Sequence, residues 1–288
     1  EAFQGQRRKM KLEKFIPFFD RKLSDHLDGI CSYSPFREIV SYTPLVGGKR
    51  LRPYLVWELS DLTSFGCDSA LKTGIAVELF HSGSLIHDDL PPIDNDDIRR
   101  GKPSNHSIFG EARAILAGDY LMLYPSKVIS SLDLDHRYKE RLVGLWSDVS
   151  LQVVEGEFAD VAPSERTEEL LSFIRRGKTA SLFGFCFAAP FCMEDGSKFR
   201  EMFELGIDFG EIFQMMDDIK DATSTLQELG KTPGKDLSQD KLTLLSFKTV
   251  EQARALVEER FRAFCEKITE YRDLVGELED IYRLIARR

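Results

Sequence analysis

No stretch of about 18 consecutive apolar residues occurs, so nothing reads as a membrane span. No CxxC pair occurs either. The five cysteines (Cys31, Cys67, Cys186, Cys192 and Cys265) are odd in number and scattered. That pattern suggests reduced, buried thiols in an intracellular, cytoplasmic protein. Positive charge is not in excess: 39 Lys and Arg against 48 Asp and Glu give a net charge of −9. This argues against a nucleic-acid partner held on a broad basic face. The charged opening segment, Glu1 to Lys14, lacks the apolar core of a signal peptide. Alternating Val/Ile/Thr-rich segments with hairpin turns are missing, which argues against a sheet. Neither a repeat nor a low-complexity tract is seen, and no breaker segment resembles an inter-domain linker.

What is present is helical periodicity. Hydrophobic residues make up 42% of 288 residues, enough for a large core. "LKTGIAVELFHSGSLIHDD" places Leu71, Ile75, Ala76, Leu79, Phe80, Leu85 and Ile86 near a 3.6-residue period. "EARAILAGDYLMLYPSKVISSL", "LVGLWSDVSLQVVEGEFADV", "EMFELGIDFGEIFQMMDDIKDA" and the long run from Val250 to the C-terminus read the same way. Several are apolar most of the way round, as helices in the middle of a bundle are. The expectation is a single all-α domain over residues 1–288, with about ten helices or more.

Two acidic clusters end two of these runs. "SLIHDDLPPIDNDDIRRGK" packs Asp88, Asp89, Asp94, Asp96 and Asp97 ahead of Arg99 and Arg100. Pro91-Pro92 breaks the helix, so Asp94 must swing back from a loop to join Asp88. "QMMDDIKDAT" places Asp217 and Asp221 one helical turn apart, with Asp218 beside them. Like charges at that spacing repel, and a hard divalent cation would offset them. A solvated acidic helix end is the alternative reading of the second cluster taken alone, whereas a solvated surface would not explain the apolar lead-in and the two prolines of the first. Two such walls facing one another across a cleft would bind Mg2+ ions and a diphosphate. Cations recur in Gly- and Pro-bounded segments: Lys49, Arg50 and Arg52 in "GGKRLRP", then Arg99-Arg100, Lys178-Thr179, Lys231, Lys235 and Lys241. Arginine's fork and lysine's point charge both suit phosphate. "GGKRLRP" lacks the spacing of a nucleotide-binding P-loop.

From Pro44 to Thr243 the chain resembles a trans-isoprenyl diphosphate synthase of the short-chain polyprenyl synthetase family. The motifs that carry the resemblance are "GGKRLRP", "HSGSLIHDDLPPIDNDDIRRGKP", "LAGD", "KTA", "FQMMDDIKD" and "GKTPGKDLSQDK", in that order. The resemblance implies an isoprenoid-synthase bundle around a central cavity, Mg2+ as cofactor and a homodimer. It also implies roles. Asp88, Asp89 and Asp94 would hold Mg2+ bridged to the allylic diphosphate, and Asp217, Asp218 and Asp221 the remaining Mg2+. Arg99, Lys178, Lys231 and Lys241 would bind the allylic diphosphate (dimethylallyl, geranyl or farnesyl). Lys49, Arg52, His81 and Arg100 would bind isopentenyl diphosphate. Lys178, Thr179 and Gln214 would sit at the reacting centre. One departure stands out: the family usually has Gln where "VVEGEFAD" carries Glu157, while Asp160 matches. Glu157 is either a tolerated polar wall residue or a site of altered activity.

In such enzymes the product grows down a tunnel beneath the first acidic cluster. The positions four and five before Asp88 are Ser84 and Gly83, neither of which offers an aromatic floor, and this points to geranylgeranyl diphosphate (C20). Phe80, Tyr120 or Tyr124 would instead stop growth elsewhere, at C15 for example, although core packing with a satisfied hydroxyl is the plainer reading of the tyrosines. His87 would hydrogen-bond a carboxylate, His106 would be loop surface, and Phe183, Phe185 and Phe187 would be core or tunnel wall. A class I terpene cyclase also fits acidic clusters on an all-α fold, but would not need the cations of "GGKRLRP" and Arg99-Arg100. A non-catalytic regulatory subunit should have lost aspartates, and both clusters are intact.

Overall fold

The periodic runs are helices, and the all-α expectation holds. The computed structural model describes residues 10–161, 163–223 and 241–286. The helices are α1 (Leu12–Leu27), α2 (Ser34–Leu45), α3 (Leu51–Leu59), α4 (Cys67–Asp88), α5 (Asn105–Phe109), α6 (Glu111–Ser130), α7 (His136–Val161), α8 (Glu168–Ile174), α9 (Ser181–Ala188), α10 (Gly196–Thr223), α11 (Val250–Lys267) and α12 (Arg272–Ala286). None of the described helices is long and apolar enough to cross a membrane. The chain forms two compact units, Glu1–Val143 with Ala189–Met193 and Gly144–Ala188 with Glu194–Arg288.

In the first unit α4 packs on α3 and α6 and is buried on most of its circumference. An aromatic cluster closes one end: Phe15 lies 5.4 Å from Phe19, 5.3 Å from Tyr54 and 5.9 Å from Trp57. Arg50 is the main charged element of this core. It sits in the left-handed region (φ 49°) and is only 3% exposed. Its guanidinium donates to Asp20 (2.8 Å), to Glu78 and to the Pro44 carbonyl (2.7 Å). Of the three cations in "GGKRLRP", Arg50 is therefore structural and already saturated by carboxylates. The sequence hint was Glu78, a lone acid inside the apolar run "IAVELF".

The second unit is built on α9 against α10. Phe183, Phe185 and Phe187 are fully buried, in contact with Phe209, Trp146 and Phe264. The C-terminal run is helical as expected and forms two helices, because the chain turns at Ile268–Glu270 and Tyr282 stacks back on Phe261 at 3.9 Å; buried Ile268 anchors the turn. Two expectations need correction. A small antiparallel hairpin exists, β1 (Ile98–Arg99) with β2 (Lys102–Pro103); two-residue strands are too short for alternation to show. His106 is buried rather than on the surface: it lies in α5, with Nδ1 3.0 Å from the Ser104 hydroxyl and Nε2 3.4 Å from Asp97.

Because Arg50 neutralises a buried Glu78, Arg50→Ala should cost roughly 3–5 kcal/mol. Arg50→Lys should recover only part of that, since it loses the fork. Lys72→Ala, which breaks an exposed pair with Asp68, should cost less than about 0.5 kcal/mol. Urea denaturation midpoints would test all three.

Candidate active site

Helix α4 ends at Asp88, and the prolines turn the chain back on the helix end as expected. The Asp94 N–H donates to the Asp88 carbonyl (2.8 Å) and the Asp96 N–H to that of Asp89 (3.0 Å). Asp88 and Asp94 keep partial exposure, whereas Asp89 and Asp96 are buried. Asp89 accepts two hydrogen bonds from Arg99, one from Nε at 2.9 Å. Burial nevertheless keeps its pKa above the usual carboxylate range, against the pull of Arg99. Asp89 thus acts as the buried counter-ion of Arg99.

The hairpin aims the next two cations. Its turn puts Arg100 at φ 54° and Gly101 at φ 73°. A left-handed arginine costs of order 1–3 kcal/mol and persists only when its surroundings hold it. Here the Gly47 carbonyl accepts from Arg100, and Glu78 lies 3.9 Å from it. Gly48 leaves room for the guanidinium, whose Cζ would be 2.8 Å from a Cβ at that position. Arg52 Nη1 lies 3.4 Å from His81 Nε2. Burial first, then Arg52, Arg100, Arg99 and Arg50, push the His81 pKa well below its ordinary value, so the ring is neutral. Arg52, His81 and Arg100 therefore form one anion-seeking group, with Lys49 exposed nearby in sequence.

Beneath Asp88, α4 and α6 approach closely. A Cβ on Gly83 would lie 2.9 Å from both the Gly118 carbonyl oxygen and Met122 Cγ. The space beside Gly83 is therefore taken by Met122. The Ser84 hydroxyl donates to the His81 carbonyl (3.0 Å), and Phe80 is 1% exposed. His87 crosses over Gly118, where any side chain would collide with its ring, and Nε2 donates to the Ile115 carbonyl (3.0 Å). This accounts for glycine in "LAGD". Tyr120 donates to the Ile30 carbonyl (2.7 Å), which is the satisfied hydroxyl that a packing role requires.

In the second unit Asp217 is partly exposed on α10, and Asp221, one turn on, is buried. Asp218 points inward. Its carboxylate accepts from Gln214 Nε2 (2.9 Å) and from the Leu244 N–H (2.9 Å). Burial pushes its pKa up to about 6, despite those bonds and nearby Arg175. Gln214 in turn accepts from the Thr179 hydroxyl (2.8 Å). The chain Thr179–Gln214–Asp218 fixes the amide between the two elements.

Lys178 and Thr179 lie in a π-helical turn, Arg175–Ala180, between α8 and α9. Such turns insert an extra residue and often accompany functional sites. It approaches α7 at Gly156 and Gly177 so closely that a Cβ on either would overlap backbone of the other element. Lys178 Nζ reaches Asp160 at 2.6 Å and Glu157 at 2.7 Å, and Lys241 lies 3.4 Å from Asp160. Burial works against the Asp160 carboxylate, but the Lys178 and Lys241 ammoniums outweigh it and hold its pKa below the usual range. Lys231 and Lys235 lie outside the described residues. Among the described residues no three His, Cys, Asp or Glu side chains converge to cage a metal by themselves. The donors are carboxylate oxygens on helix ends. They fit a hard ion such as Mg2+, which takes one or two carboxylates and fills its shell with water and substrate phosphate.

A polyprenyl synthetase family model matches residues 34–284. Farnesyl diphosphate synthase from Bacillus subtilis (strain 168) is 34% identical over 283 residues, covering 93% of this chain and 94% of that protein. The heterodimeric geranylgeranyl pyrophosphate synthase large subunit 1 of Arabidopsis thaliana is 36% identical over 265 residues, covering 87% and 71%. Among solved structures, geranyltranstransferase from Thermotoga maritima aligns with a TM-score of 0.80 at 32% identity, covering 94% of this chain and 97% of that one.

The Gly156–Gly177 contact yields a paired prediction. Gly156→Ala places a methyl against the backbone of Lys178, 2.8 Å from the Gly177 carbonyl carbon, and should cost roughly 2–3 kcal/mol. Gly144→Ala on the same helix meets nothing within 4 Å and should stabilise by up to about 1 kcal/mol. Thermal melts of the two variants would settle the contrast.

Proposed function

The chain belongs to the polyprenyl synthetase family and is a prenyltransferase, and from that premise we propose that it condenses isopentenyl diphosphate with an allylic diphosphate to give geranylgeranyl diphosphate (C20). One observation carries the reading. Arg99 and Lys178 are not loose surface charges: a hairpin with a left-handed turn holds Arg99 against Asp89 at the end of α4, and a π-helical turn holds Lys178 against Asp160 at the end of α7. Arg52, neutral His81, Arg100 and Lys49 would receive isopentenyl diphosphate. Arg99, Lys178 and Lys241, with Lys231, would receive the allylic diphosphate. Asp88 and Asp94 on one helix end, and Asp217 and Asp221 on the other, would hold Mg2+. Asp89 and Asp218 would serve instead as positioning groups, for Arg99 and for Gln214.

When bound, Mg2+ supplies positive charge against the diphosphate as it leaves. The Lys178 and Lys241 ammoniums stabilise the same developing charge from fixed positions. Thr179 and Gln214, locked by their mutual hydrogen bond, would line the reacting carbons. The double bond of isopentenyl diphosphate attacks the allylic cation, and the proton then lost passes to the departing diphosphate, so no side-chain base is required. A buried apolar helix such as α4 would keep water from the cation.

The curated relatives include both farnesyl and geranylgeranyl synthases. The C20 reading rests on Ser84 of α4, which carries no ring below Asp88; Gly83 faces α6, where Met122 fills the space beside it. None of the five cysteines is in a disulfide, in keeping with a reducing, cytoplasmic setting. A homodimer is part of the same reading. On α7 Leu151, Val154 and Phe158 are 64%, 53% and 74% exposed along one stripe, and on α6 Leu116 and Leu123 are 60% and 74% exposed. Apolar stripes of this kind mark interaction surfaces.

Two measurements test the proposal. With Mg2+, isopentenyl diphosphate and farnesyl diphosphate, the dephosphorylated product should be a C20 alcohol. Asp88→Asn and Asp217→Asn should each slow its formation by roughly a hundredfold or more. A C15 endpoint from dimethylallyl or geranyl diphosphate would overturn the C20 assignment, and no elongation from any starter would overturn the reaction. In sedimentation velocity the wild-type chain should be a dimer, and Phe158→Glu should shift it toward monomer.

A further inference from the structure

Lys178 is saturated before any substrate arrives. Its ammonium is shared by Glu157 (2.7 Å) and Asp160 (2.6 Å), whose side chains are 19% and 8% exposed. Lys241 leans on the same Asp160 oxygen. Two cations and two carboxylates therefore balance within one small, mostly buried group. Without the Glu157 charge the group would carry a net positive charge, the usual state of a site built to take an anion. Asp160 is the more buried of the two partners and is shared with Lys241. The π-helical turn and the Gly156–Gly177 contact fix the backbone that carries Lys178 beside both acids.

We propose that Glu157 is a competing counter-ion for Lys178, which makes binding of a diphosphate at this lysine conditional on a divalent metal. The inference rests on the reading above, that Lys178 receives the allylic diphosphate, and deepens it. A bare diphosphate must draw Lys178 from Glu157 and leave a carboxylate beside a multiply charged anion with nothing to offset it. A metal-bound diphosphate arrives with less net charge, and its metal supplies the cation that the carboxylates lose. Glutamine at this position keeps the shape, drops the charge and can donate its N–H2 to a phosphate oxygen. Glu157 is thus a positioning residue whose charge sets the order in which metal and substrate can enter.

The test is calorimetric titration of the full chain with sodium pyrophosphate, once with EDTA and once with saturating Mg2+. The variants are Glu157→Gln, Glu157→Ala, Lys178→Ala and, as a control of overall charge, Glu155→Gln on the exposed face of the same helix. In EDTA, Glu157→Gln and Glu157→Ala should bind pyrophosphate about tenfold more tightly than the wild type, and Glu155→Gln should not. With Mg2+ that difference should shrink to about twofold or less. A Glu157→Gln affinity equal to wild type in EDTA, or a gain that persists unchanged with Mg2+, overturns the proposal while leaving Lys178 as a diphosphate ligand. Binding with Mg2+ that is insensitive to Lys178→Ala overturns the diphosphate reading itself, and this proposal with it.

Discussion

A carboxylate that ends or interrupts a buried helix must have a cation within reach, and the rest of this structure is arranged around that requirement. Glu78, alone in the apolar middle of α4, is held by Arg50. Asp89, just past the end of the same helix, is held by Arg99. Asp160 on α7 is held by Lys178 and Lys241. The partners are 10 to 81 residues apart in sequence and lie on different elements, so each pair is also a tertiary tie. Breaking one strands a charge in a poorly solvated place, which costs far more than an exposed pair gains.

The same requirement explains where the backbone departs from ordinary geometry. Arg50 and Arg100 occupy left-handed φ, and Lys178 lies on a π-helical turn. In each case a cation on special backbone meets a carboxylate or carbonyl. Glycines supply the clearance. Gly48 makes room for the Arg100 guanidinium, Gly118 for the His87 ring and Gly156 for the Lys178 backbone. The motif glycines and motif cations are thus two parts of one device. On the function proposed above, these would be preformed positive positions that need little reorganisation when a diphosphate leaves.

Internal neutralisation also divides labour among the aspartates. The acidic motifs look uniform as text, yet Asp89 and Asp218 are consumed by protein partners. Asp88, Asp94 and Asp217 keep partial exposure. Glu157 extends the principle to a second carboxylate on the same lysine. There the extra charge adds a second claim on Lys178, and with it a stronger dependence of substrate binding on the metal.

Much was determined by the sequence alone. Apolar period and breakers marked α4, α6, α7 and α10 because a buried helical face must repeat every 3.6 residues. The proline pair foretold that Asp94 returns to the end of α4, since proline cannot continue the helix. The ordered motifs carried the family. Tertiary structure decided the partners: that Arg50 is buried while Lys49 is exposed, that His106 is inside, that Asp218 faces Gln214, and that Met122 fills the space beside Gly83. It also decided the fold-back of α12 on α11 and the hairpin that aims Arg99 and Arg100. The reason is physical. Periodicity reports which face of an element is buried, whereas the fate of a charge depends on what lies within a few ångströms of it, and that neighbour is set by contacts tens of residues away in the chain.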